Sequence, residues 1–144
     1  MSAKKTFSLV KPTLDTPFHI DFDWWLEHDR DWRVYLRSLM CAEHQEVFAD
    51  WQGGAMIDWV DPETAEVKVV DGMQHILMSH CALQPDFLTE RTALVEAVFR
   101  LFLMNGNRPM TSRELAQELG RPEKTILRTL ASVRVYRGLR PCCD

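Results

Sequence analysis

The sequence lacks the features that mark membrane and secreted proteins. No window of its 144 residues reaches the ~18 consecutive apolar residues of a membrane-spanning helix. The first ten residues hold too few apolar positions for the core of a signal peptide. We therefore expect a cytoplasmic protein with no membrane partner.

The sequence also lacks the short motifs of common enzyme sites. It contains no glycine-rich phosphate loop, no Gly-x-Ser-x-Gly nucleophile elbow and no His-Glu-x-x-His zinc motif. Acidic and imidazole groups do gather at Glu27, His28, Asp29 and Asp31, but on the polar side of an amphipathic pattern, which indicates solvated charge. We expect no enzymatic activity.

Cysteine is scarce, and its four positions do not suggest a disulfide framework in a reducing compartment. Cys41 and His44 are separated by two residues, and His80 and Cys81 are adjacent. Thiolate and imidazole are the ligands that tetrahedral Zn²⁺ prefers, so we predict a structural zinc site of Cys41, His44, His80 and Cys81. His75 is the alternative to His80. The competing interpretation makes the cysteines small buried apolar residues.

Charge is unevenly distributed along the chain. Residues 1–89 hold 7 Lys and Arg against 15 Asp and Glu, a balance of −8, whereas residues 90–144 hold 10 against 6, a balance of +4. The net charge of −4 therefore hides a basic C-terminal third. This asymmetry is typical of a binding module joined to an acidic domain.

Proline, glycine and hydrophobic spacing divide the chain into three predicted segments: an N-terminal arm (1–20), an acidic domain (21–88) and a C-terminal domain (89–144). The arm has two prolines and no helical period. We expect it to be extended and to pack through Phe18, Ile20 and Phe22.

The acidic domain is predicted to combine helices with a β-hairpin. The apolar stripe of Trp25, Trp32, Leu36 and Leu39 predicts one helix from Asp23 to about Met40. The remaining predicted elements are a helix over roughly 43–51 ended by Gly53-Gly54, a hairpin around the turn 61–64, and a helix over 72–80 capped by Asp71.

The C-terminal domain is predicted to contain three helices followed by a basic, strand-forming tail. The first is the apolar run ALVEAVFRLFLM at 93–104, for which Thr89 is the predicted start signal and Asn105-Gly106 the predicted end. Thr111 and Glu114 have the spacing of a capping box for the second helix, and Gly120 ends it. Pro122 suits the first turn of the third helix. The fold class predicted for the whole chain is α+β and mostly helical.

The pattern TSRELAQELGRPEKTILRTL, together with the helix before it and the tail VRVYRGLRP after it, resembles the winged-helix branch of the helix-turn-helix superfamily. The resemblance covers about residues 90–141, and it places TSRELAQELG at the positioning helix and RPEKTILRTL at the recognition helix. Family members commonly carry a two-stranded wing. Only about nine residues remain here, so we expect a single strand or a truncated wing.

The resemblance implies that the protein binds double-stranded DNA in a transcription-associated role. The recognition helix would enter the major groove, and the tail would follow the DNA backbone or the minor groove. The implied contact residues are Arg121, Lys124, Thr125, Arg128, Thr129, Arg134, Tyr136 and Arg137. The positive charge is moderate, so affinity would need a homodimer or a protein partner. The alternative is a non-enzymatic adaptor whose winged helix binds protein within a larger complex.

Overall fold

The computed structural model describes residues 11–48, 56–132 and 134–142. Within these ranges the chain forms seven α-helices, a three-stranded antiparallel sheet and a separate two-stranded hairpin, which confirms the predicted α+β class. The elements in chain order are β1 (Pro17–Ile20), α1 (Phe22–His28), α2 (Trp32–Ser38), α3 (Ala42–Val47), β2 (Met56–Val60), β3 (Val67–Asp71), α4 (Gly72–Ser79), a 3₁₀ turn (Cys81–Leu83), α5 (Leu94–Met104), β4 (Met110–Thr111), α6 (Ser112–Leu119), α7 (Glu123–Leu130) and β5 (Leu139–Pro141).

The single helix predicted from Asp23 to about Met40 is wrong, because the chain breaks at Asp29 into α1 and α2. The Asp29 carboxylate accepts hydrogen bonds from the indole N–H of Trp25 and the backbone N–H of Asp31, both at 2.9 Å. An Asp side chain that bonds nearby backbone in this way competes with the helix. Asp29 is therefore not the solvated charge that the sequence suggested. The predicted apolar stripe is nevertheless buried across the break.

Helix α3 begins near the predicted position but is shorter than predicted, ending at Val47. Gly53-Gly54, predicted to end it, lies outside the described residues. The predicted hairpin is confirmed, since β2 and β3 pair antiparallel with Val60 opposite Val67 at the closed end. Asp61 shapes the turn by accepting the backbone N–H of Glu63 at 2.8 Å.

Helix α4 follows the hairpin directly and begins where the sequence predicts. The Asp71 carboxylate accepts the backbone N–H of Gln74 at 2.9 Å, which satisfies one of the free N–H groups of the first turn. Met73 and Leu77 are buried in the core. The helix ends at Ser79, and the 3₁₀ turn starts two residues later.

Helix α5 begins at Leu94, within one residue of the predicted run at 93–104, but the chain does not become helical at Thr89, the predicted start signal. Residues 89–92 form a turn instead, in which the Thr89 N–H donates to the Thr92 hydroxyl at 3.2 Å and the Thr92 N–H donates to the Thr89 carbonyl at 3.1 Å. Threonine side chains favour such local bonds over helix. The helix ends before Asn105-Gly106, as predicted.

Helices α6 and α7 form a tight pair; the predicted boundaries of α6 are confirmed, and α7 begins one residue after Pro122, which the sequence predicts in its first turn. The Glu114 N–H donates to the Thr111 hydroxyl at 3.2 Å, and the Thr111 N–H donates to the Glu114 carboxylate at 2.8 Å, which completes the capping box. Gly120 adopts the left-handed conformation with φ of 65° and ends α6. Pro122 then occupies the N-cap of α7.

The three-stranded sheet joins the two ends of the chain. Its strand order is β4-β1-β5, so the N-terminal strand lies in the middle, with Phe18 opposite both Met110 and Pro141. Phe18 and Ile20 are fully buried. Within residues 134–142 of the tail, β5 is the only strand, and residues 134–138 lie outside it.

One hydrophobic cluster contains buried side chains from both the predicted acidic and C-terminal segments. Phe99 of α5 lies at its centre, with its ring centroid 5.4 Å from that of Trp25 and 5.6 Å from that of Tyr35, both in edge-on geometry. The longest helix of the described ranges is α5, with eleven residues, and none of these helices could cross a bilayer.

Candidate metal centre and nucleic-acid interface

Three of the four predicted zinc ligands converge between α3 and the 3₁₀ turn. The Cys41 sulfur lies 3.2 Å from Nδ1 of His44. The Cys81 sulfur lies 3.5 Å from the Cys41 sulfur and 3.6 Å from the same His44 nitrogen. The three donor atoms therefore form a closed triangle, although Cys81 is forty residues from Cys41 in the chain.

Local structure explains this convergence. Cys41 is the N-cap of α3, and His44 lies three residues later, so the first turn of the helix places both side chains on one side. Cys81 opens the 3₁₀ turn that follows α4 and is 1% exposed. The metal donors thus come from one helix start and one helix end.

Two further donors border this triangle. Single donor atoms of Cys41, Glu43, His44 and His80 all lie within 4.8 Å of one another, and this four-donor group does not include Cys81. The imidazole rings of His44 and His80 are 4.7 Å apart between centroids. Among the described residues His75, the alternative to His80, is not in this group. Sequence reasoning missed Glu43, although it stands between Cys41 and His44 and its carboxylate oxygen is an accepted metal ligand.

The spacing of the triangle fits a tetrahedral ion. With Zn–S of about 2.3 Å and Zn–N of about 2.0–2.1 Å, two sulfurs on one Zn²⁺ are about 3.8 Å apart and a sulfur and a nitrogen about 3.6 Å. The observed distances of 3.5, 3.2 and 3.6 Å lie within a few tenths of an ångström of these values. These donor atoms are therefore close enough to one another to hold a metal ion.

The environment of Cys81 matters for its chemistry. Burial raises the pKa of this thiol to about 11, and the hydrogen bond to the Cys41 thiol adds to the rise. Without a cation nearby, Cys81 is therefore a neutral thiol. A coordinated divalent ion reverses this preference, because a coordinating thiol is deprotonated outright.

A cavity of about 380 Å³ lies beside the triangle, and its wall includes Cys41, Cys81, Phe87 and Arg100. Arg100 is held in place, because its guanidinium donates to the carbonyl of Phe87 at 2.6 Å and lies 3.7 Å from the Glu96 carboxylate. The cavity gives small solutes access to the sulfur side of the metal centre.

The predicted DNA-contact residues on α7 divide into two groups. Lys124 and Arg128, one helical turn apart, are exposed on the outer side of the helix, opposite the buried Ile126 and Leu130. Thr125 and Thr129 are half-buried, and the Thr129 hydroxyl donates to the Thr125 carbonyl at 3.0 Å. Arg134, beyond the end of α7, is exposed.

Three other predicted contact residues are engaged in intramolecular contacts. Arg121 donates to the carbonyls of Glu90 and Thr92 at 3.3 and 2.9 Å. The Arg137 guanidinium lies 3.6 Å above the ring of Tyr35 and 3.6 Å from the Asp29 carboxylate. Tyr136 is half-buried, packed against the hydrophobic cluster, with its ring 6.5 Å from that of Phe99. These side chains anchor the turn before α7 and the tail after it.

Comparison with known proteins yields no relative: no protein-family model matches the chain, and no match emerges among curated proteins or solved structures.

Proposed function

We propose that this protein binds double-stranded DNA through the outer side of α7, in a transcription-associated role, with a zinc ion stapling its N-terminal part. The observation that carries the DNA proposal is the pair Lys124 and Arg128, exposed one turn apart on a helix whose opposite side is buried. Cationic side chains on the exposed side of a helix suit the major groove, where lysine and arginine contact phosphate and arginine can also pair with guanine.

The winged-helix resemblance adds to this proposal through the order of the elements. Helix α5, strand β4, helices α6 and α7 and strand β5 follow the order of that fold. The strand that lies between β4 and β5 is β1, from the start of the chain. A protein built this way would use α7 and Arg134, with little contribution from a wing.

Zinc is the metal that the donor set favours. Two thiolates and an imidazole are soft or borderline ligands, which favour Zn²⁺ over Mg²⁺ or Ca²⁺. Cys41 and His44, together with two of Cys81, His80 and Glu43, would supply the four protein donors of a structural site. Elemental analysis of the purified protein is expected to give one equivalent of zinc, and Cys41→Ser should lose it. Retention of zinc by that variant would remove Cys41 from the ligand set.

Salt dependence of duplex binding tests the DNA proposal. Three exposed cations, Lys124, Arg128 and Arg134, predict a slope of about −3 for log affinity against log salt, since each phosphate contact contributes about −0.9. Arg128→Ala should weaken binding and reduce the slope by about one. Arg30→Ala is the matched control, because Arg30 is also exposed but lies in the α1–α2 connection.

The adaptor alternative is favoured by one observation: Arg121, Tyr136 and Arg137 are engaged in contacts within the chain. The cationic surface on α7 is therefore smaller than the sequence suggests. Under this alternative the same side of α7 would bind an acidic protein segment. Duplex binding that is absent, or unaffected by both salt and Arg128→Ala, would favour it over the DNA proposal.

A further inference from the structure

The two halves of the metal centre are anchored very differently. Helix α3 carries Cys41 at its N-cap and Glu43 and His44 in its first turns, yet none of its six residues is buried. A helix this short does not stand alone in water, where about 12–15 residues are needed. Helix α3 therefore depends on contacts made by its ends and its polar side chains.

Those contacts are few and mainly local. The Gln45 side chain donates to the carbonyl of Met40 at 2.9 Å, and Arg37 donates to the Gln45 carbonyl at 3.1 Å. These bonds tie α3 to the neighbouring α2. Phe48, directly after the helix, is buried at 5% exposure and supplies its apolar anchor.

The other half is part of the core. Cys81 and Ala82 are buried, and the 3₁₀ turn packs against α4 and α5. Leu77, one turn before the end of α4, is fully buried. Cys81 thus belongs to the packed part of the fold, and among the described residues the triangle with Cys41 and His44 links α3 to this packed part.

We infer that the docking of α3 depends on the metal, so that metal occupancy controls the order of residues 41–48 while the C-terminal helices stay folded. This inference rests on the proposed zinc site and makes that site a local, reversible switch. The free energy of zinc binding stabilises the packing of α3 against the 3₁₀ turn. The solvent-exposed positions of Glu43 and His80 and the adjacent cavity leave the ion open to exchange.

The C-terminal helices are stabilised by contacts and caps of their own. Leu115 of α6 and Ile126 of α7 are fully buried, and both helices pack against α5. The capping box and the left-handed Gly120 are built from residues of this segment alone. The effect of the metal should therefore remain local.

Hydrogen exchange of the full-length wild-type protein tests the inference, with Zn²⁺ or with excess chelator. The informative amides are those of Gln45 and Phe48, which donate to the carbonyls of Cys41 and His44 at the two ends of α3. We expect chelation to accelerate exchange in peptides covering 41–48 by at least about tenfold. The free energy of binding a structural zinc ion is far larger than the free energy that corresponds to a tenfold change in exchange rate. Peptides covering 94–130 should exchange unchanged.

Each result has a defined meaning. Unchanged exchange at 41–48 in a protein shown to lose zinc would overturn the inference, as would an equal acceleration across 94–130. Absence of zinc from the purified and zinc-supplemented protein would instead refute the zinc site itself. The variant Cys81→Ser should reproduce the chelator result in the presence of zinc, and Glu46→Gln, an exposed α3 change outside the donor group, should not.

Discussion

The backbone carbonyl of Gly138 accepts a hydrogen bond from the backbone N–H of Asp21 at 2.7 Å, joining the start of α1 to the tail. Gly138 has a φ of 80°, and a Cβ atom placed there would lie 2.8 Å from the Asp21 carbonyl oxygen and 3.0 Å from Cβ of Trp25. Only glycine fits this junction without displacing backbone. The contact holds β5 against β1.

Gly138→Ala should therefore destabilise the protein strongly. A left-handed conformation costs a residue with a Cβ about 1–2 kcal/mol, and overpacking adds about 1–3 kcal/mol. Gly106→Ala is the matched control, since Gly106 has a φ of 77° but a Cβ atom at this position would have no described atom within 4 Å, so only the first cost applies. Urea unfolding of both variants measures the difference, and equal losses would contradict the proposed close packing.

Much of the fold follows from local sequence signals. Thr111, Glu114 and Gly120 mark the ends of α6 by bonds that form within a few residues, which is why spacing alone predicts them. The Asp29 break is different: its hydrogen bonds to Trp25 and Asp31 are local but lie outside the helical spacing pattern, and its partner Arg137 is far away in the chain. The pairing of β1 with β4 and β5 is likewise a long-range contact that no local pattern specifies.

Asp29→Ala should destabilise the junction between α1 and α2. The change removes acceptors for the Trp25 indole and the Asp31 N–H and leaves Arg137 without its carboxylate partner, and we expect a loss of about 2–3 kcal/mol in unfolding free energy. Asp31→Ala is the control: this neighbouring side chain is exposed and makes no cap hydrogen bond. Its loss should stay within about 0.5 kcal/mol. A similar loss for the two variants would contradict this assignment.

His19 should make the protein less stable on the acid side of neutrality. Partial burial on β1 lowers the pKa of His19 below 6.5, the nearby Arg140 lowers it further, and Asp21 opposes the shift. The unfolded chain then binds the proton more readily, so unfolding free energy falls as pH drops below about 6.5. His19→Gln should flatten this dependence in chemical denaturation between about pH 7 and 5. A profile parallel to that of the wild type would exclude the effect.

The metal centre is predictable from the sequence in part. Cys41 and His44 are one helical turn apart, so their spacing already indicates a shared site. The approach of Cys81 to Cys41 depends on how α4 packs against α2, and the spacing of residues in the sequence does not specify that packing. Glu43 is exposed, so no hydrophobic pattern marks it as part of the site. On α7, the buried positions follow from helical periodicity. The anchoring of Arg121 and Arg137 does not, because their partners lie on distant elements.

Substitutions at Arg121 and Arg128 should separate an effect on folding stability from an effect on DNA binding. Arg121 holds the 90–92 loop through two carbonyl oxygens, so Arg121→Ala should lower unfolding free energy by about 1–2 kcal/mol and leave duplex affinity of the folded protein nearly unchanged. Arg128 is exposed, so Arg128→Ala should leave stability within about 0.5 kcal/mol and weaken DNA binding several-fold. Urea unfolding and duplex titration at one fixed salt concentration measure both quantities. If Arg121→Ala weakened DNA binding as much as Arg128→Ala at unchanged stability, Arg121 would contact DNA and its contacts to the loop would have to be exchanged on binding.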